Sequence, residues 1–218
     1  NSFSTYSLDF LGIPLMFIWV IVLTNAFNLI DGLDGLAAGI SLIVFITIFI
    51  ISVISGNLSS AIISSVLCGT LIGILPYNFY KAKIFIGDSG AQFIGFILSV
   101  ILIDGSNTIN GEFIILIPMI ICGVPLFDTI TSIIRRKLKN LPIMQADKGH
   151  VHHKLIRLGN SHPKAVIIMY FIEIIFSVIA IFMVISNRIN FLFLLIISVI
   201  YVIYLMVKLD IFQLKKDE

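Results

Sequence analysis

Long, continuously apolar segments separated by short polar connections dominate the chain. A helix of about 20 apolar residues crosses the roughly 30 Å hydrocarbon core of a bilayer. Membrane β-strands would instead alternate apolar and polar residues. The pattern therefore predicts an all-α polytopic membrane bundle in a single domain, residues 1–218, with about seven transmembrane helices. These fall at 10–27, 36–55, 60–80, 90–103, 113–134, 165–186 and 191–209, the fourth being the shortest.

The cationic residues predict the orientation of these helices. If the connection after the first span faces the cytoplasm, every Lys and Arg except Arg188 lies on the cytoplasmic side. The connections on the other side, 56–59 and 104–112, contain no Lys or Arg. This distribution follows the positive-inside rule. A basic cytoplasmic face also suits anionic lipids and phosphorylated substrates.

The composition excludes a soluble protein, because 59% of the residues are hydrophobic and the mean hydropathy is +1.12. The formal net charge of +2 adds little, and no nucleic-acid partner is expected. Cys68 and Cys122 lie inside apolar spans, so we expect small buried hydrophobes rather than a disulfide or a metal site.

A first polar cluster follows the first span. A charged side chain at the bilayer centre costs about 2.5–3.5 kcal/mol, so two acids there need compensation. On a continuous helix, residues three apart would form one polar ridge. The alternative is a helix-capping turn with solvated acids, but two upstream asparagines favour a functional site. The cluster comprises Asn25, Asn28, Asp31 and Asp34, with Gly32 and Gly35 between them.

A second cluster, Gly87-Asp88-Ser-Gly90, immediately precedes the fourth span. An acid at a helix N-terminus is favoured by the helix dipole, so Asp88 could be only a cap. The same position suits a metal ligand, because the flanking glycines allow a hydrated cation and a phosphate to approach the backbone.

The third cluster lies in 135–164, the only long polar stretch, which we expect to form a cytoplasmic loop. Its histidines, with pKa values near 6.5, suit either phosphate binding or metal ligation. A zinc site is disfavoured, because the only other histidine is His162. The cluster comprises Asp147, His150, His152 and His153, with Arg157 downstream.

The three clusters share the cytoplasmic side in this topology, and together they suit phosphoryl transfer. Carboxylate and carboxamide oxygens favour Mg²⁺ over soft metals. Histidine and arginine suit phosphate oxygens. Catalysis of phosphoryl transfer depends mostly on positioning and charge neutralisation. The substrate would be partly lipid and partly water-soluble.

Three motifs resemble those of the polyprenyl-phosphate N-acetylhexosamine-1-phosphate transferases. They are NAFNLIDGLDGLA at 25–37, FIGDSG at 85–90 and DKGHVHH at 147–153. This bacterial family includes the initiators of teichoic acid and O-antigen synthesis and the phospho-MurNAc-pentapeptide translocase. The resemblance implies attack of undecaprenyl phosphate on a UDP-amino sugar, the first membrane step of a cell-wall or surface polysaccharide. The His-X-His-His form resembles the GlcNAc-1-phosphate branch, which implies UDP-GlcNAc.

The resemblance also implies roles for individual residues. Asp31, Asp34 and Asp88 would be catalytic, and Asp88, with Asp31 as a second candidate, would hold Mg²⁺ or alternatively Mn²⁺. The protein would lie in the bacterial cytoplasmic membrane, with the active site on the cytoplasmic face. The resemblance leaves open whether it forms a homodimer. The substrate-binding residues would be Asn25, Asn28, Asp147, His150, His152, His153 and Arg157.

Two departures from the family pattern stand out. The family's adjacent Asp-Asp pair is absent, and Asp9 stands alone. Because the chain begins at Asn1, we expect the pair in a preceding segment and expect the 218-residue chain alone to be inactive. Ala91 also occupies a position where the family more often has Ser.

Three alternatives remain open from the sequence. The phospho-MurNAc-pentapeptide branch would use a different donor. An intramembrane aspartyl protease would use Asp88 with Asp31 or Asp34, but it would leave the histidines idle. An ion-coupled transporter would use intramembrane acids, although its sites usually lie near the midplane of repeated halves.

Overall fold

The computed structural model describes residues 12–106, 116–138, 149–186 and 188–208. Within these ranges the regular structure is helical, without strands. The helices are α1 (Gly12–Ile30), α2 (Leu36–Ser55), α3 (Leu58–Asn78), α4 (Gly87–Ser106), α5 (Leu116–Ile121), α6 (Gly123–Leu138), α7 (Val151–Arg157), α8 (His162–Ile185) and α9 (Arg188–Lys208).

Six of the described helices, α1, α2, α3, α4, α8 and α9, are long and apolar enough to cross a membrane. Helix α2 is the most buried of them and packs against α3 and α8. Helices α1 and α9 are mostly exposed and present large apolar side chains outward, as a lipid-facing surface requires. The prediction of an all-α polytopic membrane bundle is confirmed.

The predicted fifth span does not form one continuous helix. Within its described part, the chain divides at Cys122 into α5 and α6. Pro125 supplies no amide donor, and the ring of Phe176 on α8 occupies the space where a side chain at Gly123 would lie. The backbone N–H of Val124 instead donates to Glu173 Oε2 over 2.8 Å. The predicted start of this span, 113–115, lies outside the described residues.

Helices α1 and α4 cross closely at Gly95. A Cβ atom at Gly95 would lie 2.8 Å from Thr24 Cα and 2.9 Å from the carbonyl oxygen of Leu23. Nearby, the indole N–H of Trp19 donates to the carbonyl oxygen of Ser99 over 3.3 Å. This crossing fixes the spacing between the polar end of α1 and the start of α4.

Among the described residues, polar contacts join connecting segments at each of two ends of the bundle. At one end, Asp104 Oδ2 accepts hydrogen bonds from Asn57 Nδ2 (3.2 Å) and Ser60 Oγ (3.1 Å). At the other end, turn 31–35, loop 79–86 and α7 lie together, joined by the contacts described below. The three polar clusters of the sequence therefore meet at the same end.

Candidate active site

Helix α1 ends at Ile30, and residues 31–35 form a turn. The amide of Asp31 donates to the carbonyl oxygen of Asn28 over 3.3 Å, which closes the last turn of the helix. Gly35 has φ +77°, a left-handed conformation that favours glycine. The expectation of one continuous helical ridge is therefore wrong, because the chain leaves the helix before Asp31 and only the two asparagines are helical.

The half-buried Asp31 interacts electrostatically with both of the other candidate acids. Burial raises the pKa of Asp31, and the neighbouring Asp88 and Asp34 raise it further. A carboxylate among carboxylates gains stability from a proton or a cation. The site therefore favours a proton or a cation at Asp31.

Asp34 makes a defined contact with loop 79–86, which precedes the second cluster. Its Oδ2 accepts a hydrogen bond from the backbone N–H of Ala82 over 3.1 Å. The preceding residue, Lys81, has φ +64°, a conformation that few non-glycine residues adopt. Asp34 thus anchors loop 79–86, which leads directly to Asp88.

Asp88 lies in the first turn of α4, directly after Gly87, which has φ +67°. The helix begins at Gly87, three residues before the predicted span, so Asp88 lies inside its first turn and does not precede it. The side chain of Asp88 is exposed. The helix N-terminus favours its negative charge, and its interaction with Asp31 brings the first and second clusters into the same site.

The histidine cluster occupies the start of α7. His152 is 1% exposed, and a Cβ atom at Gly32 would lie 2.5 Å from its Nε2. Burial lowers the pKa of His152 to about 4, partly opposed by Asp128 and reinforced by the other three histidines. His152 is therefore neutral at physiological pH, and neither of its ring nitrogens has a hydrogen-bond partner.

The other histidines surround His152. The ring of His150 is stacked parallel to that of His152 with a centroid separation of 5.8 Å. The ring of His153 lies 4.2 Å from that of His152. His162, at the start of α8, packs edge-on against Tyr80 of loop 79–86 at 6.2 Å, which joins the histidine segment to the loop that precedes the second cluster.

Sequence reasoning missed Asp128 of α6, which is 2% exposed. Its Oδ2 lies 2.9 Å from His150 Nδ1, and its Oδ1 accepts a hydrogen bond from the backbone N–H of Val151 over 2.8 Å. Glu173 was missed in the same way. The signal in both cases was an acid inside a predicted span, which is costly unless it has partners.

A groove of about 570 Å³ lies between α1 and α4, and its lining includes Ser89, the residue that follows Asp88. Thr24, Asn25, Ser89 and Gln92 form its polar lining, and Phe93 and Phe96 are among its apolar residues. Asn25 is exposed there and donates to the carbonyl oxygen of Ile21 over 2.7 Å. Asn28 Oδ1 is buried without a partner.

The remaining predicted residues are Arg157 and Asp147. Arg157 is exposed in the last turn of α7, and Asp147 lies outside the described residues. No three His, Cys, Asp or Glu side chains of the described ranges form a complete metal-binding group by themselves. Mg²⁺ is usually held by one or two carboxylates, together with water and substrate phosphates. Asp31 and Asp88 both supply carboxylate oxygens, and the repulsion from Asp88 raises the pKa of Asp31. A cation between them would relieve this repulsion, so the pair fits that requirement.

The fold and site define a polytopic membrane protein whose carboxylates, carboxamides and imidazoles collect at one end of the bundle. Residues 2–106 match the family described as glycosyl transferase family 4. This part of the chain belongs to that family, and the resemblance seen in the motifs is confirmed.

Several curated relatives support this assignment. A probable undecaprenyl-phosphate N-acetylglucosaminyl 1-phosphate transferase of Bacillus subtilis is 44% identical over 81% of this chain and 49% of the relative. A decaprenyl-phosphate N-acetylglucosaminephosphotransferase of Mycolicibacterium smegmatis is 38% identical over 67% of this chain and 41% of the relative. A phospho-N-acetylmuramoyl-pentapeptide-transferase of Caldicellulosiruptor bescii is 30% identical over 79% of this chain and 52% of the relative. The chain thus spans about half the length of these relatives.

Proposed function

We propose that the protein transfers a sugar-1-phosphate, GlcNAc-1-phosphate in the first instance, from a UDP-sugar to undecaprenyl phosphate. An oxygen of the lipid phosphate forms a bond to the sugar-bearing β-phosphorus. The bond from that phosphorus to the bridging oxygen breaks, and UMP leaves with that oxygen. The products are undecaprenyl-diphospho-GlcNAc and UMP.

The observation that carries this proposal is the convergence of three distant motifs. Asp34 contacts loop 79–86 through Ala82, Asp31 interacts with Asp88, and Gly32 lies against His152. Carboxylates beside imidazoles suit a reaction in which a cation and a diphosphate are bound together. The GlcNAc-1-phosphate donor is favoured because the Bacillus and Mycolicibacterium relatives carry names of that kind.

Mg²⁺, or Mn²⁺ in its place, would neutralise the charge on the diphosphate when bound at Asp31 and Asp88. Asp34 holds loop 79–86 and thereby the position of Asp88. The histidines bind the sugar nucleotide or its phosphates, with Asn28 and Arg157 contributing polar groups at its edge. Asp147 is proposed to join them.

We assign the groove between α1 and α4 to the lipid acceptor. Its aromatic residues, Phe93 and Phe96, suit an isoprenoid chain, and its polar lining includes Ser89, the residue that follows Asp88. The chain would enter from the bilayer, and the phosphate would remain at the end of the bundle that holds the carboxylates. The distribution of Lys and Arg supports the cytoplasmic face for that end.

The test is an exchange reaction with the intact protein in detergent. Labelled UMP should enter UDP-GlcNAc only in the presence of undecaprenyl-diphospho-GlcNAc and Mg²⁺. An aspartyl protease needs no metal, and a transporter makes no new phosphoanhydride bond. The same assay with UDP-MurNAc-pentapeptide in place of UDP-GlcNAc shows which donor the protein uses and so distinguishes the two branches of the family.

Asp88→Asn is the matched variant, and Asp104→Asn at the opposite end of the bundle is its control. Asp88→Asn should abolish Mg²⁺-dependent turnover with normal expression, whereas Asp104→Asn should keep it. Near wild-type turnover in Asp88→Asn would remove Asp88 from the metal site. Exchange that proceeds without metal would reject the proposed chemistry.

A further inference from the structure

Asp128 and His150 form a buried pair between α6 and the start of α7. The two carboxylate oxygens of Asp128 have different partners, because Oδ1 accepts from the backbone N–H of Val151 and Oδ2 lies 2.9 Å from His150 Nδ1. Asp128 is 2% exposed and His150 is 6% exposed. Water therefore competes little for either contact.

An ionised carboxylate only accepts hydrogen bonds, so Nδ1 of His150 has to carry the proton that it shares with Asp128. Nε2 is then the ring nitrogen that takes up a further proton or accepts a hydrogen bond. A buried carboxylate that holds an imidazole in one tautomer also stabilises the imidazolium when it forms. From this geometry we infer that Asp128 is a positioning residue that fixes the Nδ1–H tautomer of His150 and keeps His150 ready to bind an anionic phosphate as a cation.

The same carboxylate also places the histidine segment. The backbone N–H groups at the start of a helix have no partners within that helix, and Oδ1 supplies one for Val151. His150 in turn stacks on His152, which lies against Gly32. A contact on α6 thereby sets the distance between the histidines and the first acidic cluster.

Asp128→Asn is the informative variant because the two contacts force its orientation. The amide oxygen has to remain at the Oδ1 position to accept from Val151, so the amide NH₂ replaces Oδ2 and donates to Nδ1. The proton of the neutral imidazole then moves to Nε2. The variant keeps its shape and the helix contact but reverses the tautomer, and formation of the imidazolium would set two donors against each other.

Two measurements on the intact protein test this. In protein labelled with ¹⁵N-histidine at mildly alkaline pH, the imidazole nitrogen spectra report which ring nitrogen is protonated, and His150→Gln assigns the signals. We expect the proton on Nδ1 in the unchanged protein and on Nε2 in Asp128→Asn. UDP with Mg²⁺ should bind Asp128→Asn about tenfold more weakly, since charge-assisted hydrogen bonds are roughly twice as strong as neutral ones. Asp104→Asn, an acid that is also hydrogen-bonded by side chains, should change neither result.

An unchanged tautomer in Asp128→Asn would overturn the inference. So would a reversed tautomer with UDP affinity within about twofold of the unchanged protein. The phosphate-binding half of this inference rests on the proposed function. If the unchanged protein does not bind UDP, the proposed function fails by itself, and the imidazole spectra still decide the role of Asp128.

Discussion

Gly32 in the turn after α1 lies against His152 at the start of α7, so close that a Cβ atom at Gly32 would stand 2.5 Å from Nε2. The two residues are far apart in the sequence. Their contact leaves no room for a side chain, and it sets the separation between the acidic turn and the histidines.

Gly32→Ala should reduce turnover by on the order of 100-fold, because displacing a binding group by about 1 Å costs that much. His152 cannot swing away easily, since it is buried and its ring lies against that of His153. The exchange assay measures the effect. Gly69→Ala is the control, because a Cβ there meets nothing within 4 Å, and it should retain normal turnover. Equal exchange rates for the two variants would show that the contact between Gly32 and His152 does not affect turnover.

His152 should make the stability of the protein depend on pH. Its pKa is about 4 in the folded state, against about 6.5 when unfolded. The unfolded state therefore binds more protons between these values, and stability falls as the pH drops from about 6.5 to 4. The loss is at most about 3 kcal/mol, from 1.36 kcal/mol per pKa unit.

His152→Gln removes this titration while keeping a polar side chain. Thermal unfolding in detergent, compared between the two proteins across that pH window, measures the difference. The gap in unfolding temperature should shift steadily in favour of His152→Gln toward acid pH. Parallel pH profiles would mean that His152 does not titrate in this range.

The helices and the three motifs could be predicted from the sequence because continuous apolar runs and clustered polar residues are local signals. The break at Cys122 could not, because Gly123 and Pro125 only permit it. Its capping depends on Glu173, 49 residues away from Val124. The pairing of Asp128 with His150 also escaped prediction. It exists because α7 folds back onto α6, a tertiary contact without a local pattern.

Glu173 should stabilise the break between α5 and α6 through its acceptor oxygen. Glu173→Leu leaves the N–H of Val124 without a partner, which should cost about 1–3 kcal/mol. For a chain of this size, that corresponds to a fall in Tm of roughly 2–4 °C per kcal/mol. Glu173→Gln keeps an acceptor for Val124 and should unfold within about 2 °C of the unchanged protein. Thermal unfolding in detergent measures both variants. An equally large fall in Tm for Glu173→Gln would mean that the hydrogen bond to Val124 alone does not account for the stabilisation by Glu173.

Gly95→Ala should separate α1 from α4 and thereby move the polar end of α1 away from the start of α4, where Asp88 lies. The atoms that a Cβ would meet are backbone atoms of Thr24 and Leu23, which cannot rotate away as a side chain can. Overpacking of this kind typically costs about 1–3 kcal/mol of stability. Turnover should fall more than stability does, because α1 and α4 both carry groups of the site and both line the groove. Gly73→Ala on the open face of α3 should leave both unchanged. If Gly95→Ala lowers the unfolding temperature but leaves the exchange rate intact, the site tolerates a change in the α1–α4 spacing, and the groove between these helices is not the binding site of the lipid acceptor.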